Sequence, residues 1–355
     1  MKRFTKRLLT VLLVLGSAVV ALAQQQPQMP PIPTDPNVRI GKLANGLTYY
    51  IRHNELPKDR ADFYIAQKVG SILEEENQRG LAHFLEHMCF NGTTNFPGKG
   101  IINWLESIGV KFGQNLNAYT SIDETVYNIN NVPVIRDGIV DSCLLILHDW
   151  ANDLTLAEKE IDNERGVIHE EWRTGQGAMM RMYEQALPKA FEGSKYGNRL
   201  PIGTIEVIDN FPYQALRDYY EAWYRPDQQG IVVVGDIDVD KVEAKIKEMF
   251  SPIEMPANAP ERKYEVVPDN KEPIITIAKD KEQPATLIYL WHKHPATPNE
   301  AKGNIGYLVQ SYMFNMISSM MHARLKNCAK VPTLRSFKQH RETTISCWRK
   351  PQKPS

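Results

Sequence analysis

His83, Glu86 and His87 stand within five residues in the order HxxEH. On a helix, residues four apart project from one face, about 5–6 Å apart at Cβ. Both imidazoles can therefore hold one Zn²⁺, with the Glu86 carboxylate beside them to take a proton from a metal-bound water. The pentad inverts the commoner HExxH signature of zinc hydrolases. A tetrahedral catalytic zinc takes three protein ligands and keeps a water in the fourth position. The third ligand must come from elsewhere in the chain. Leu156 to Arg173 carries Glu158, Glu160, Asp162, Glu164, Glu170 and Glu171. In a helix, Glu160, Glu164 and Glu171 fall near one stripe, and pattern alone does not choose among them. An acidic surface helix accounts for most of the run.

These residues need elements to hold them. Gly80 precedes Leu81, Phe84, Leu85 and Met88 at helical spacing, and Asn91-Gly92 follows, so the pentad is expected on a helix. Leu43 to Ile51 has an Asn-Gly turn between apolar stretches, a hairpin signal. Phe63 to Val69, Asn117 to Thr120, Glu124 to Asn130 and Ile231 to Val234 read as strands. Gly100 to Ile108, Val134 to Trp150 and Leu156 to Arg173 read as helices. Strands and helices mix without strict βαβ alternation. The expected class is α+β, a mostly antiparallel sheet packed with helices.

Ser251 to Glu272 carries Pro252, Pro256, Pro260 and Pro268 among many charges and reads as a linker. Beyond it, Ile274 to Ala278 and Thr286 to Trp291 read as strands. Ile305 to Leu325 reads as a helix whose Met stripe belongs to a core. Cys328 to Ser355 has seven Lys/Arg against one acid and no clear period. It is read as structureless, or as sequence foreign to the fold.

At the other end, Lys2, Arg3, Lys6 and Arg7 precede an apolar run, Leu8 to Val20, and then Ala21-Leu22-Ala23. That is the pattern of a secretory signal peptide cleaved after Ala23. It predicts export across an inner membrane, to the periplasm if the source is Gram-negative, with no stable membrane span afterwards. Lys+Arg and Asp+Glu are both 42, so the formal net charge is zero, which argues against a nucleic-acid partner. The four cysteines form no CxxC pair, so neither a disulfide framework nor a structural zinc site is implied. Cys89, two residues beyond His87, reads as a small buried thiol.

Arg79 to Thr93, which contains the pentad, resembles the signature of the insulinase/pitrilysin family of zinc peptidases, which includes the mitochondrial processing peptidases. Asn117-Ala118-Tyr119-Thr120 with Glu124 to Tyr127 resembles the family's second block, and Glu164 to Glu171 the third. Tyr219-Tyr220, Trp223 to Pro226 and Val233 to Asp236 resemble the fourth. The resemblance implies a processing-peptidase-like fold and one Zn²⁺ per chain. His83 and His87 would be ligands, Glu86 the catalytic base, and Glu164, followed by Arg165, the third ligand. The family often has a supporting acid two turns before that ligand; here the position is Ala157. Asn117 and Ala118 match the edge strand on which the family holds extended peptide by β-augmentation.

Members of this family work as two homologous halves, the second contributing an Arg and a Tyr near the metal, which nothing in this chain matches. The implied organisation is a signal peptide (1–23), a disordered lead-in (24–36), a zinc-binding domain (37–250), a linker (251–272), the start of a second similar α+β domain (273–327) and an atypical basic tail (328–355), as a truncated or frame-shifted gene would give. Two functions follow. One is a secreted zinc endopeptidase acting on extended or unfolded peptides, aided by a second homologous half or subunit. The other is a non-catalytic or partner-dependent peptide-binding subunit.

Overall fold

The computed structural model describes residues 30–295, 297–328 and 343–350. The signal-peptide segment lies outside the described residues. The chain divides into two compact units, one comprising residues 35–285 and the other built from the described residues of Thr286–Gln352 with those before Asp35.

The larger unit is organised by a six-stranded sheet. Strands β1 (Val38–Lys42), β2 (Thr48–His53), β3 (Arg60–Gln67), β4 (Leu116–Thr120), β5 (Thr125–Pro133) and β6 (Gln229–Gly235) lie in the order β1-β2-β6-β3-β5-β4. Every neighbouring pair is antiparallel except β2 with β6. Alternation drives the strands. Along β3, Ala61, Phe63, Ile65 and Gln67 are buried, and along β6, Ile231 and Val233 are buried with the flanking Gln229. Period two puts those side chains on one face of the pleat. The β1–β2 turn closes where the spacing predicts it, with Gly46 at φ +102° supplying a conformation that L side chains avoid.

Eight helices of this unit follow in chain order: α1 (Leu81–Met88), α2 (Gly100–Ser107), α3 (Ile139–Asn152), α4 (Glu158–Gly175), α5 (Ala178–Ala190), α6 (Ile205–Asn210), α7 (Tyr213–Trp223) and α8 (Val239–Phe250). Helix α3 packs on β3 and α8 on β2, and the two pack on each other. Helix α1 touches β4, α4 and α7. The helix predicted from Val134 begins only at Ile139, because β5 runs on to Pro133 and Gly138, at φ +83°, starts the helix. Cys89 and Cys143 are free and buried.

The stretch 251–285 has no regular secondary structure but is fastened to the larger unit. Arg225 Nη1 donates to Pro260 O at 2.7 Å, Arg262 Nε to Lys68 O at 2.7 Å, and Lys195 N to Glu265 Oε1 at 2.9 Å. Arg181 grips Asp280 with two bonds of 2.7 and 2.8 Å. The expected strand at Ile274 to Ala278 is absent: Ile275 and Ile277 are exposed and no strand pairs with them.

In the smaller unit, β7 (Ile288–Pro295) pairs in parallel with β8 (Thr343–Lys350), and α9 (Asn299–Lys302) precedes α10 (Ile305–Cys328). Two expectations are corrected here. Part of the basic tail is a strand. The Met stripe of α10 is not core: Leu308, Tyr312, Met313, Met316, Ile317 and Met320 are exposed. A two-stranded sheet is too narrow to cover a helix of 24 residues that is apolar on more than one side.

Candidate metal centre

Helix α1 is short, and its buried residues, Leu81, Ala82, Phe84, Leu85 and Met88, fix which way it faces. That burial turns His83 and His87 toward α4 and leaves them one turn apart. Their ring centroids are 4.7 Å apart with planes at 78°.

Opposite them, Glu171 sets one carboxylate oxygen against each ring. Oε1 lies 3.7 Å from His83 Nε2, and Oε2 lies 3.5 Å from His87 Nε2. One ligand atom from each of the three residues falls within a 4.8 Å cluster. Zinc–nitrogen and zinc–oxygen bonds of about 2.0–2.2 Å in a tetrahedron set ligand atoms roughly 3.3–3.5 Å apart. The donor set, two imidazoles and one carboxylate, suits Zn²⁺, and its atoms, within 4.8 Å of one another, are somewhat wider apart than a bound ion would draw them.

Glu164, expected as the third ligand, sits elsewhere. Its Oε1 is 2.8 Å from Nδ1 of His87, the other ring nitrogen, and its Oε2 accepts a 2.6 Å hydrogen bond from Asn91 Nδ2. Lys99 Nζ donates in turn to Asn91 Oδ1. The reason is helical geometry. Glu164 and Glu171 share a stripe of α4 but are two turns, about 10.5 Å, apart along the axis. Only one of them can meet the Nε2 pair.

Electrostatics follow from burial and these partners. Burial, then the neighbouring His87, pushes His83 down to about 4, so it is a neutral imidazole near pH 7. Burial opposes charge on His87 too, but Glu164 and Glu171 outweigh it and raise the ring to about 9. Glu171 is held below the usual carboxylate range, chiefly by its hydrogen bond to His87. Glu164 is also lowered: its burial is outweighed by His87 and Asn91.

Glu86 is buried on the same helix. Burial raises its pKa, and a 2.5 Å hydrogen bond from Thr120 Oγ1 to its Oε2 partly offsets that. Thr120 ends β4, which also carries Asn117 and Ala118 and is the sheet's edge among the described residues. With its amide oriented to donate, Asn117 Nδ2 lies 3.3 Å from Gly113 O and 3.2 Å from Leu116 O. That side chain therefore braces its own turn, and the open edge of β4 offers main-chain groups. Thr120 lay inside a recognised block, yet nothing in its type or spacing pointed to Glu86, 34 residues away.

A second group, His148, Asp149 and Asp153, also clusters. Asp149 is occupied, however: Thr93 Oγ1, Asn95 N and Asn95 Nδ2 all donate to it. Its carboxylate ties the loop after α1 to α3.

Comparison with known proteins gives two matches to family models. One is the insulinase family, peptidase family M16, over residues 50–200, and the other the peptidase M16 inactive domain over residues 210–330. The chain is 37% identical over 220 residues to the probable zinc protease PqqL of Haemophilus influenzae, covering 62% of this chain and 24% of that protein. It is 34% identical over 298 residues to the probable zinc protease PqqL of Escherichia coli, covering 83% and 32%. The crystal structure of the first half of the periplasmic protease PqqL from Escherichia coli superimposes with a TM-score of 0.67 at 31% identity, over 84% of this chain and 63% of that one. The chain thus spans about a quarter to a third of the length of these curated relatives.

Proposed function

Because this chain belongs to the insulinase family of peptidases, family M16, we propose that its larger unit is a zinc-dependent endopeptidase domain. His83, His87 and Glu171 hold one metal ion, and Glu86 is the general base. The observation that carries this reading is Glu171, whose two oxygens address the Nε2 atoms of both histidines. Glu164 is a positioning residue: it accepts from Nδ1 of His87 and so directs Nε2 toward the metal. Carboxylates behind ligating histidines commonly act this way.

When bound, zinc supplies a water whose pKa is lowered to about 7 and Lewis-acid polarisation of a carbonyl. The protein's own groups do the rest. Thr120 holds Oε2 of Glu86, so Oε1 is left to take the proton from the attacking water. Burial of Glu86 favours its protonated form, which then delivers that proton to the departing amine. Extended peptide adds to β4 beside Asn117 and Ala118 by main-chain hydrogen bonds, which select for backbone more than for side chains.

Export to the periplasm suits the amino-terminal sequence and the periplasmic setting of the Escherichia coli relative. Among the described residues no helix is long and apolar enough to cross a membrane. A second homologous half, in the same polypeptide or as a partner, supplies the remaining contacts to substrate. The test is metal content and hydrolysis of an unstructured peptide, with wild type and Glu86→Gln compared. Zinc retained with hydrolysis lost supports the reading. Peptide binding with no zinc in either protein supports the peptide-binding subunit instead.

A further inference from the structure

Helix α1 begins in a place where it cannot cap itself. Its N-cap residue, Gly80, has φ +107° and makes no side-chain cap. A Cβ there would fall 2.7 Å from Ile208 Cδ1 and 3.1 Å from Gly203 Cα. The usual capping residues, Ser, Thr, Asp and Asn, are therefore excluded by space and by backbone conformation. Yet the first-turn amides of a buried helix need acceptors.

Glu74 supplies one from a different segment. It is fully buried, and its Oε1 accepts from Ala82 N at 2.9 Å. Its own main chain is held on two sides: Arg199 Nε and Lys195 Nζ both donate to Glu74 O, at 3.3 and 3.2 Å. Arg199 is buried as well, with its carbonyl taking a 2.6 Å hydrogen bond from Ser71 Oγ. Glu74 is thus a fixed acceptor aimed at the amide immediately before His83. Its other oxygen, Oε2, is buried and unpartnered. Keeping a carboxyl in such a place costs stability, a cost not explained by packing alone.

We infer that Glu74 is a positioning residue for the metal centre, a remote cap that fixes the first turn of α1 and hence the direction of His83 and His87. The inference rests on the zinc reading for its consequence, and on the Glu74–Ala82 hydrogen bond for its substance.

Two measurements on the purified full-length chain test it. The first is zinc affinity by competition with a chelator, and the second is hydrogen exchange at the Ala82 amide in metal-free protein. The variants are Glu74→Met, which keeps length and removes the acceptor, Glu74→Gln, which keeps a carbonyl oxygen, and Cys143→Ala, a buried control on α3. Glu74→Met should weaken zinc binding by roughly 10–100-fold and speed exchange at Ala82. Glu74→Gln should restore both, and Cys143→Ala should change neither. Zinc affinity of Glu74→Met within twofold of wild type would overturn the inference. So would a Cys143→Ala loss as large as that of Glu74→Met, or a failure of Glu74→Gln to restore. Should Glu74→Met not fold, Glu74→Asp decides, since it keeps the carboxylate but falls one methylene short of the Ala82 amide: wild-type exchange at Ala82 and wild-type zinc affinity in that variant would overturn the inference. A wild-type chain that binds no zinc defeats the metal reading, while the exchange arm still judges Glu74.

Discussion

Glu164 Oε1 lies 2.8 Å from Nδ1 of His87, the ring nitrogen that does not face Glu171. Two acids on one helix thus address one imidazole from its two nitrogens. In the proposed reading the first orients the ring and the second shares its metal-facing side, a division that neither residue's type could assign.

Thr120→Val should slow peptide hydrolysis without removing zinc. The substitution deletes the 2.5 Å hydrogen bond to Glu86 Oε2 and little volume. A hydrogen bond to a charged group is worth about 1.5–3 kcal/mol, so kcat should fall about tenfold or more. Thr120→Ser should recover most of it. Steady-state kinetics with metal analysis decide the matter; unchanged kcat in Thr120→Val would mean the contact does not position the base.

Stability should fall with rising pH through Glu74. Burial pushes this carboxyl up to about 8 from 4.5, although the amides of Ala82 and Gly80 and the charges of Arg199 and Arg79 pull it down; Tyr219 also faces it. The folded state then binds the proton more tightly than the unfolded chain does. The associated stability is fully present below pH 4.5 and is lost as pH rises to 8, at up to about 1.4 kcal/mol per pH unit. Glu74→Gln has no proton to lose, so its stability relative to wild type should increase between pH 5 and 8. Urea denaturation at several pH values measures this, and a pH-independent difference would contradict it.

Trp150→Ala should cost about 3–5 kcal/mol. The indole is fully buried and its Nε1 donates to Cys89 O at 2.9 Å, at the end of α1. The substitution therefore leaves both a cavity and an unpaired carbonyl. A urea midpoint near wild type would show that the aromatic cluster of Phe90, Tyr127 and Trp150 is not a principal support.

Much of the frame was legible in the chain. The pentad helix, the Asn-Gly hairpin and strands β3 to β6 follow from period and turn chemistry, because each is a local pattern. The site was legible as far as locality reached. His83, Glu86 and His87 sit on one turn, whereas the acid that joins them depends on how far α4 slides past α1. A stripe shared by Glu164 and Glu171 contains no information about that offset. Thr120 and Glu74 were out of reach for a related reason: each meets α1 only through the tertiary path of the chain. The Met-rich helix misled because apolar composition signals burial only when enough structure covers it.

The central claim is that Glu171 is a ligand and Glu164 a support. Zinc dissociation constants for Glu171→Gln and Glu164→Gln, measured against the wild-type chain, test it most directly. Glu164→Gln should weaken binding by roughly 10–100-fold and keep one zinc per chain at saturation. Glu171→Gln should lose far more and leave the site largely empty at the same metal concentration. The reverse order, with Glu171→Gln close to wild type and Glu164→Gln empty, would contradict the account.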